Sequence, residues 1–232
     1  MYENVFKYYT MKQWGVKPEE IDPAVIARVP VRLSKENGYF TDKYQGMPLH
    51  GYTPMFQAML DHPSITLELG VNALDRLSFA EGKVFYGGEA LHGKLLYTGP
   101  LDELFGFTFG RLPYRSLVFK FETLKKEYSQ LCGTVNYTVS EDYTRVTEFK
   151  HLTGQKCPVT TIMKEYSKPC GEGDIPYYPV ANEESKALSA RYQGEAEKYP
   201  ALVLGGRLGE FRYYNMDAAA ASALRLCRNH LS

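Results

Sequence analysis

The chain has 232 residues, 44% of them hydrophobic and 14% aromatic, enough apolar side chain to fill one or two cores and too much for a disordered polymer. Its 27 basic residues balance 27 acidic ones, so there is no bulk positive field for nucleic acid or an anionic membrane, and any anion site must be local. No apolar run is long enough for a transmembrane helix, and the opening Met1-Tyr-Glu-Asn-Val-Phe-Lys7 has neither the basic flank nor the apolar stretch of a signal peptide; a cytoplasmic location without membrane insertion is expected.

Residues Tyr2 to Trp14 read as a helix with Val5, Phe6, Tyr9 and Trp14 on a mostly aromatic face, ended by Gly15. A second helix from about Pro23 to Val29 stops at Pro30 and carries Arg28 near its end. Val31 to Leu49, which includes Tyr39, has no clear period and reads as a loop or lid. Thr53 is placed to cap a helix with Pro54 at its first position, running to Asp61 before Pro63.

From Ser64 the period changes to two. Ile65, Leu67 and Leu69 alternate with polar residues, as do Leu117, Phe119 and Phe121, and Val146 with its neighbours. Val84 to Tyr86, Leu95 to Thr98, Gly133 to Thr138 and Thr160 to Tyr166 are further candidates, giving about six strands with short connections and therefore an antiparallel sheet. Asp102 to Phe105 reads as one helical turn, and Asn182 to Lys198 as a charged helix capped by Asn182. The strand Ala201 to Leu204, the turn Gly205-Gly206-Arg207 and an alanine-rich helix capped by Asn215 or Asp217 close the chain. That strand is expected to stand in a layer to which no other segment belongs. Strand, glycine turn and helix suit an anion, and they equally suit close helix–sheet packing.

The expected fold class is α+β: a helical segment, an antiparallel sheet, and a final strand and helix belonging to an incomplete α/β layer. The expected domains are a partial helical domain with its loop (1–63), a sheet domain (64–180), and a connecting helix with the closing strand and helix (181–232). Cys132, Cys157, Cys170 and Cys227 form no C-x-x-C pair, and the five histidines have no zinc spacing, so no metal site is expected. The 19 tyrosines cluster at Tyr8-Tyr9, Tyr177-Tyr178 and Tyr213-Tyr214.

Several stretches carry a resemblance. Tyr8-Tyr-Thr-Met-Lys-Gln-Trp-Gly15, Arg28-Val-Pro-Val-Arg32, Tyr44-Gln-Gly-Met-Pro48, Tyr97-Thr-Gly-Pro-Leu-Asp102, Leu112-Pro-Tyr-Arg-Ser-Leu117, Val135-Asn-Tyr-Thr138, Tyr143-Thr-Arg-Val-Thr-Glu148, Pro176-Tyr-Tyr-Pro179 and Gly205-Gly-Arg-Leu-Gly-Glu-Phe-Arg-Tyr-Tyr214 follow the order seen in bacterial UDP-galactopyranose mutases. The resemblance covers the whole chain and the later part of that family, roughly its C-terminal three-fifths. The family's G-x-G-x-x-G flavin fingerprint has no counterpart in these 232 residues.

The resemblance implies an isomerase of galactofuranose and cell-surface polysaccharide biosynthesis. Such enzymes interconvert UDP-galactopyranose and UDP-galactofuranose through an adduct between the sugar and N5 of reduced FAD, so no side chain is the nucleophile. Arg28 and Arg145 are implied as catalytic arginines that neutralise the leaving diphosphate. Tyr9, Thr10, Trp14, Tyr39, Arg115, Asn136, Tyr178 and Tyr213 are implied as substrate-binding residues, with Tyr9 and Trp14 at the uridine. Gly206, Arg207, Asn215 and Met216 are implied at the flavin. Asn215 stands where the family usually has Asp, and His50 where a small residue is common.

The implied partners are the two UDP-sugars, an N-terminal flavin-domain polypeptide and a second copy in a homodimer, with no nucleic acid. Without the fingerprint loop, the chain alone is expected to be colourless and to lack mutase activity. Two alternatives keep the same residues in a non-catalytic UDP-sugar-binding module, or make the chain an inactive fragment whose exposed apolar faces associate.

Overall fold

The computed structural model describes residues 2–20, 33–35 and 38–230. After a π-helical stretch over Tyr2–Lys7, the helices are α1 (Tyr8–Trp14), α2 (Tyr52–Leu60), α3 (Leu101–Leu104), α4 (Lys150–Thr153), α5 (Glu183–Ala196), α6 (Gly206–Gly209) and α7 (Met216–His230). The strands are β1 (Leu77–Ala80), β2 (Lys83–Tyr86), β3 (Glu89–Ala90), β4 (Leu95–Tyr97), β5 (Tyr114–Leu124), β6 (Thr134–Asn136), β7 (Arg145–Glu148), β8 (Thr160–Pro169), β9 (Tyr178–Pro179) and β10 (Leu202–Leu204). The expected helix carrying Arg28 lies outside the described residues.

The chain divides into two compact units, the first made of Met1–Gln13, Pro23–Val71 and Val118–Tyr166, the second of Trp14–Asp22, Asn72–Leu117 and Ser167–Ser232. The fold is α+β, with a main sheet of five strands in the order β6-β7-β8-β5-β9.

In the first unit, β6, β7 and β8 pair antiparallel, with Asn136 opposite Arg145 and Arg145 opposite Glu165. Val135, Val146, Thr147 and Ile162 are β-branched residues suited to a pleated surface, and Val146 and Ile162 are 4% and 6% exposed. At the far end of β7 the fully buried Glu148 ties down the residues before β6. Its carboxylate accepts from the amides of Ser129 and Gln130, both at 2.8 Å, and from the Thr160 hydroxyl at 2.6 Å, with His151 Nε2 3.4 Å away. Burial works to raise the Glu148 pKa, but those donors and His151 outweigh it and hold the carboxyl below its usual range. Next to it, the Lys150 ammonium donates to the carbonyls of Glu127 and Cys157.

Ile65 to Leu69 is not a strand. His62 turns the chain by accepting from the amides of Ile65 and, through its ring, Ser64. A strand needs a ladder partner as well as an alternating pattern, and Leu67 and Leu69 stand 57% and 81% exposed. Helix α2 begins two residues earlier than expected, at Tyr52 and not Pro54, with Gly51 and not Thr53 as its cap.

In the second unit the core is Leu101, Leu112, Tyr114, Tyr192 and Phe211, with Phe105, Phe109, Leu188 and Leu208 packed against it. Each fully buried large apolar side chain contributes roughly 1.5–3 kcal/mol. The Tyr192 hydroxyl donates to the Gly110 carbonyl (2.6 Å) and accepts from the Phe109 amide (3.0 Å), so its burial leaves no polar atom unmet. Asp102 accepts from the Leu112 amide at 2.9 Å and from the Tyr114 hydroxyl at 3.4 Å; burial raises its pKa against the pull of those donors.

Strands β1, β2 and β3 form a small meander, and β9 pairs with β5 through Tyr114 with Pro179 and Arg115 with Tyr178. Strand β10 is not alone in its layer: it pairs in parallel with β4, Val203 opposite Leu96. Only the folded chain brings these distant segments side by side, so no local pattern announces the pairing. Helix α5 starts as the sequence predicts, Asn182 accepting from the Ser185 amide while the Ser185 hydroxyl accepts from the Asn182 amide.

Candidate functional site

The register of the first unit builds a seat for one guanidinium. Residues at matching positions of neighbouring strands lie on one face, about 4.5–5.5 Å apart at Cβ. Arg145 therefore has Asn136 on one side and Glu165 on the other. Its Nε donates to Asn136 Oδ1 at 3.1 Å, its Nη2 to the Tyr9 hydroxyl of α1 at 3.2 Å, and its Nη1 lies 3.9 Å from Glu165 Oε2. Glu165 is 5% exposed at its side chain and Arg145 32%, so the carboxylate lies behind the guanidinium and the guanidinium reaches the surface. Thr10, the next residue of α1, is buried at 5%. In the same unit, Tyr39 is half exposed and packs edge-on against Phe40, centroids 4.9 Å apart. Arg28 lies outside the described residues.

The second unit holds an aromatic and cationic group of its own. Trp14 packs against Tyr178 and Tyr213 with centroids 5.8 and 5.6 Å away, and the two tyrosines are 5.6 Å from each other. The three rings close a triangle. The Arg207 guanidinium stands 4.7 Å from the Tyr213 ring centroid and 5.4 Å from that of Tyr178. It is fixed there by donating to the carbonyls of Tyr214 (2.7 Å) and Tyr177 (3.4 Å).

Arg115, 6% exposed, donates from Nε to the Ser167 hydroxyl, and burial lowers its pKa. Its guanidinium lies flat against the turn after α1. Gly15 there has φ +72°, and an added Cβ would stand 2.6 Å from Arg115 Nη1. Gly15→Ala would strain the backbone and displace a buried arginine, and is expected to lower stability by about 2 kcal/mol in a urea titration. An unchanged midpoint would mean that Arg115 has room to move.

The closing turn has the shape the sequence predicts, with a difference in detail. After β10, Gly206 has φ +76° and no Cβ, and the short helix α6 starts at once. Asn215 immediately precedes α7, whose first residue, Met216, is 69% exposed. The Tyr214 hydroxyl, on Glu210 at 3.0 Å, has its pKa pushed up to about 12 by burial and that carboxylate.

Two residues that shape these sites were not among those singled out from the sequence. Glu165 sits in an alternating strand where a solvent-facing carboxylate would look the same, and only the register shows it behind Arg145. Lys12 lies inside the Tyr8 to Gly15 motif, but nothing local marks its target. Among the described residues no helix is long and apolar enough to cross a membrane.

In fold, the chain is similar to a solved crystal structure of reduced UDP-galactopyranose mutase, with a TM-score of 0.64, 17% identity and coverage of 90% of this chain and 59% of that one. The sequence profile of the UDP-galactopyranose mutase family matches residues 4–213, and the chain belongs to that family. It is 39% identical over its whole length to a probable UDP-galactopyranose mutase of Klebsiella pneumoniae, covering 58% of that protein. It is also 35% identical to a dTDP-fucopyranose mutase of Escherichia coli, covering 60% of it. The chain thus spans about three-fifths of the length of the curated relatives it matches.

Proposed function

We propose that this chain is the nucleotide-sugar-binding part of a cytoplasmic UDP-galactopyranose mutase, which interconverts UDP-galactopyranose and UDP-galactofuranose. The observation that carries the reading is Arg145: a guanidinium oriented by Tyr9, Asn136 and Glu165 and still open to the surface. An arginine held this way has lost its rotamer freedom before a ligand arrives, so the fork is preorganised for a diphosphate oxygen. Breaking the bond from sugar to UDP adds charge to that diphosphate. A fixed cation there stabilises the leaving group more than the ground state. Arg28 is assigned the same role by its motif.

Tyr9 and Thr10 on α1 are assigned to the uridine with Trp14. Tyr178 and Tyr213, framed by Trp14, are assigned to the diphosphate, and Arg115 and Asn136 to further contacts with the substrate. The closing turn fits one edge of a flavin. Gly206 holds a left-handed turn packed against Thr98, Met216 offers an exposed apolar surface, and the first-turn amides of α7 have no intrahelical acceptors. Gly206, Arg207, Asn215 and Met216 would hold that edge, and reduced FAD, when bound, supplies the nucleophile for the anomeric carbon. Arg207, tied to two carbonyls, keeps Tyr213 and Tyr178 oriented beneath it. The flavin-binding fingerprint would come from the part of the relatives' length that these residues do not span, and the assembled enzyme is assigned as a homodimer.

Because these 232 residues contain no G-x-G-x-x-G, the chain by itself is expected to bind UDP and to be colourless. Calorimetry with UDP, dTDP and no nucleotide, together with a visible spectrum of the purified chain, checks both halves. Binding of UDP in preference to dTDP supports the mutase named in the Klebsiella relative. Preference for dTDP would move the assignment to the Escherichia coli relative's substrate class, and no heat with either would remove the nucleotide reading. A stoichiometric flavin band would show that the C-terminal half-site suffices for the cofactor.

A further inference from the structure

Lys12 does not behave as a surface lysine. Lys12 Nζ donates to three backbone carbonyls, those of Tyr137, Glu141 (3.0 Å) and Tyr143 (3.2 Å), and the charges of Glu141 and Asp142 act on it. All three belong to the connection between β6 and β7. That connection is closed at its base by the Tyr137 amide donating to the Thr144 carbonyl, and a second tie runs from the Thr138 hydroxyl to the Asn4 carbonyl at 2.6 Å. Its two ends are Asn136 and Arg145, which face each other across the strands. Lys12 is also three residues, one helical turn, from Tyr9, the acceptor of Arg145 Nη2.

We propose that Lys12 is a positioning residue: by gathering three carbonyls of the β6–β7 connection, its ammonium sets the distance from Tyr9 on α1 to Arg145 on β7 and so presents the Arg145 fork in its binding geometry. The proposal rests on the reading of Arg145 as a diphosphate ligand. A single point donor that satisfies three converging carbonyls suits an ammonium and not a planar guanidinium, whose donors diverge. Burial lowers the Lys12 pKa against the opposing pull of Glu141 and Asp142, consistent with an ammonium partly withdrawn from water, where its hydrogen bonds are stronger.

The test is a double-mutant cycle on the full 232-residue chain. Lys12→Met is expected to weaken UDP binding about tenfold in the parent and by less than about twofold in an Arg145→Met background, because the route to the ligand runs through Arg145. Equal weakening in both backgrounds overturns the route. A lowered melting temperature with unchanged UDP affinity overturns the positioning role, since a merely structural lysine predicts that result.

Exchange of the Arg145 Nε proton, read by NMR without ligand, keeps the proposal separate from the functional reading. It should be about tenfold faster in Lys12→Met, and an unchanged rate overturns the proposal whether or not UDP binds. If UDP does not bind the parent chain, the functional reading fails and the proton-exchange result alone decides the positioning. Should Lys12→Met not fold, Lys12→Arg retains the charge and is expected to shift the same two readouts in the same direction by a smaller factor; no shift in either overturns the proposal.

Discussion

Arg145→Met is expected to weaken UDP binding about a hundredfold, the equivalent of about 2.7 kcal/mol. Methionine keeps the apolar stem of the side chain and removes the guanidinium with every donor, so Asn136 Oδ1 and the Tyr9 hydroxyl each lose the partner seen in the structure. Glu165 loses a cation 3.9 Å away and keeps its contact with the Thr144 hydroxyl at 3.3 Å. Some loss of stability is therefore expected alongside the loss of affinity, and affinity has to be compared at a temperature where circular dichroism shows both proteins folded. Arg145→Lys separates charge from geometry: it restores the cation but not the three-way fork, and an intermediate loss of about tenfold is expected. A methionine variant that binds UDP as tightly as the parent would take Arg145 out of the diphosphate site.

Glu148→Gln is expected to lower stability by about 3 kcal/mol while leaving the shape of the side chain almost unchanged. The carboxylate accepts from two amides and a hydroxyl, and a carboxamide has to turn a donating NH2 toward at least one of them. A buried donor left facing another donor carries its full desolvation cost.

The pH dependence has a definite sign. The folded Glu148 pKa lies below its ordinary value, so the carboxylate's contribution is fully present above about pH 4.3, the usual unfolded value, and disappears as pH falls through the folded value. Denaturant titrations at neutral pH should separate the parent from Glu148→Gln, and the gap should narrow as the solution is acidified below pH 4. A gap independent of pH would show that the ionised carboxylate is not the stabilising form.

Much of the local structure was legible because it depends on neighbours in sequence. Asn182 announces the start of α5, Gly15 the end of α1, and the alternation of Thr160 to Tyr166 the strand β8, since caps, left-handed residues and pleats are all decided within a few residues. The first candidate strand failed for the converse reason. Ile65, Leu67 and Leu69 alternate as well as any strand, but among the described residues they pair with no other strand.

The sites divide in the same way. The motifs named Tyr9, Asn136 and Arg145, and Trp14, Tyr178, Tyr213 and Arg207, without showing which of them touch. Glu165 and Lys12 went unnamed because their importance lies wholly in contacts with residues far along the chain.

By itself the sequence determined the α+β class, a few helix ends, the family, and the residue types of the candidate sites, because side-chain chemistry and short-range periodicity are properties of the chain. The tertiary structure alone decided that β10 pairs in parallel with β4, that Glu165 stands behind Arg145, and that Lys12 reaches the β6–β7 connection. Each of these turns on strand register or on the approach of distant segments. A one-residue slip in register would send Arg145 to the opposite face of the sheet while leaving every local pattern intact.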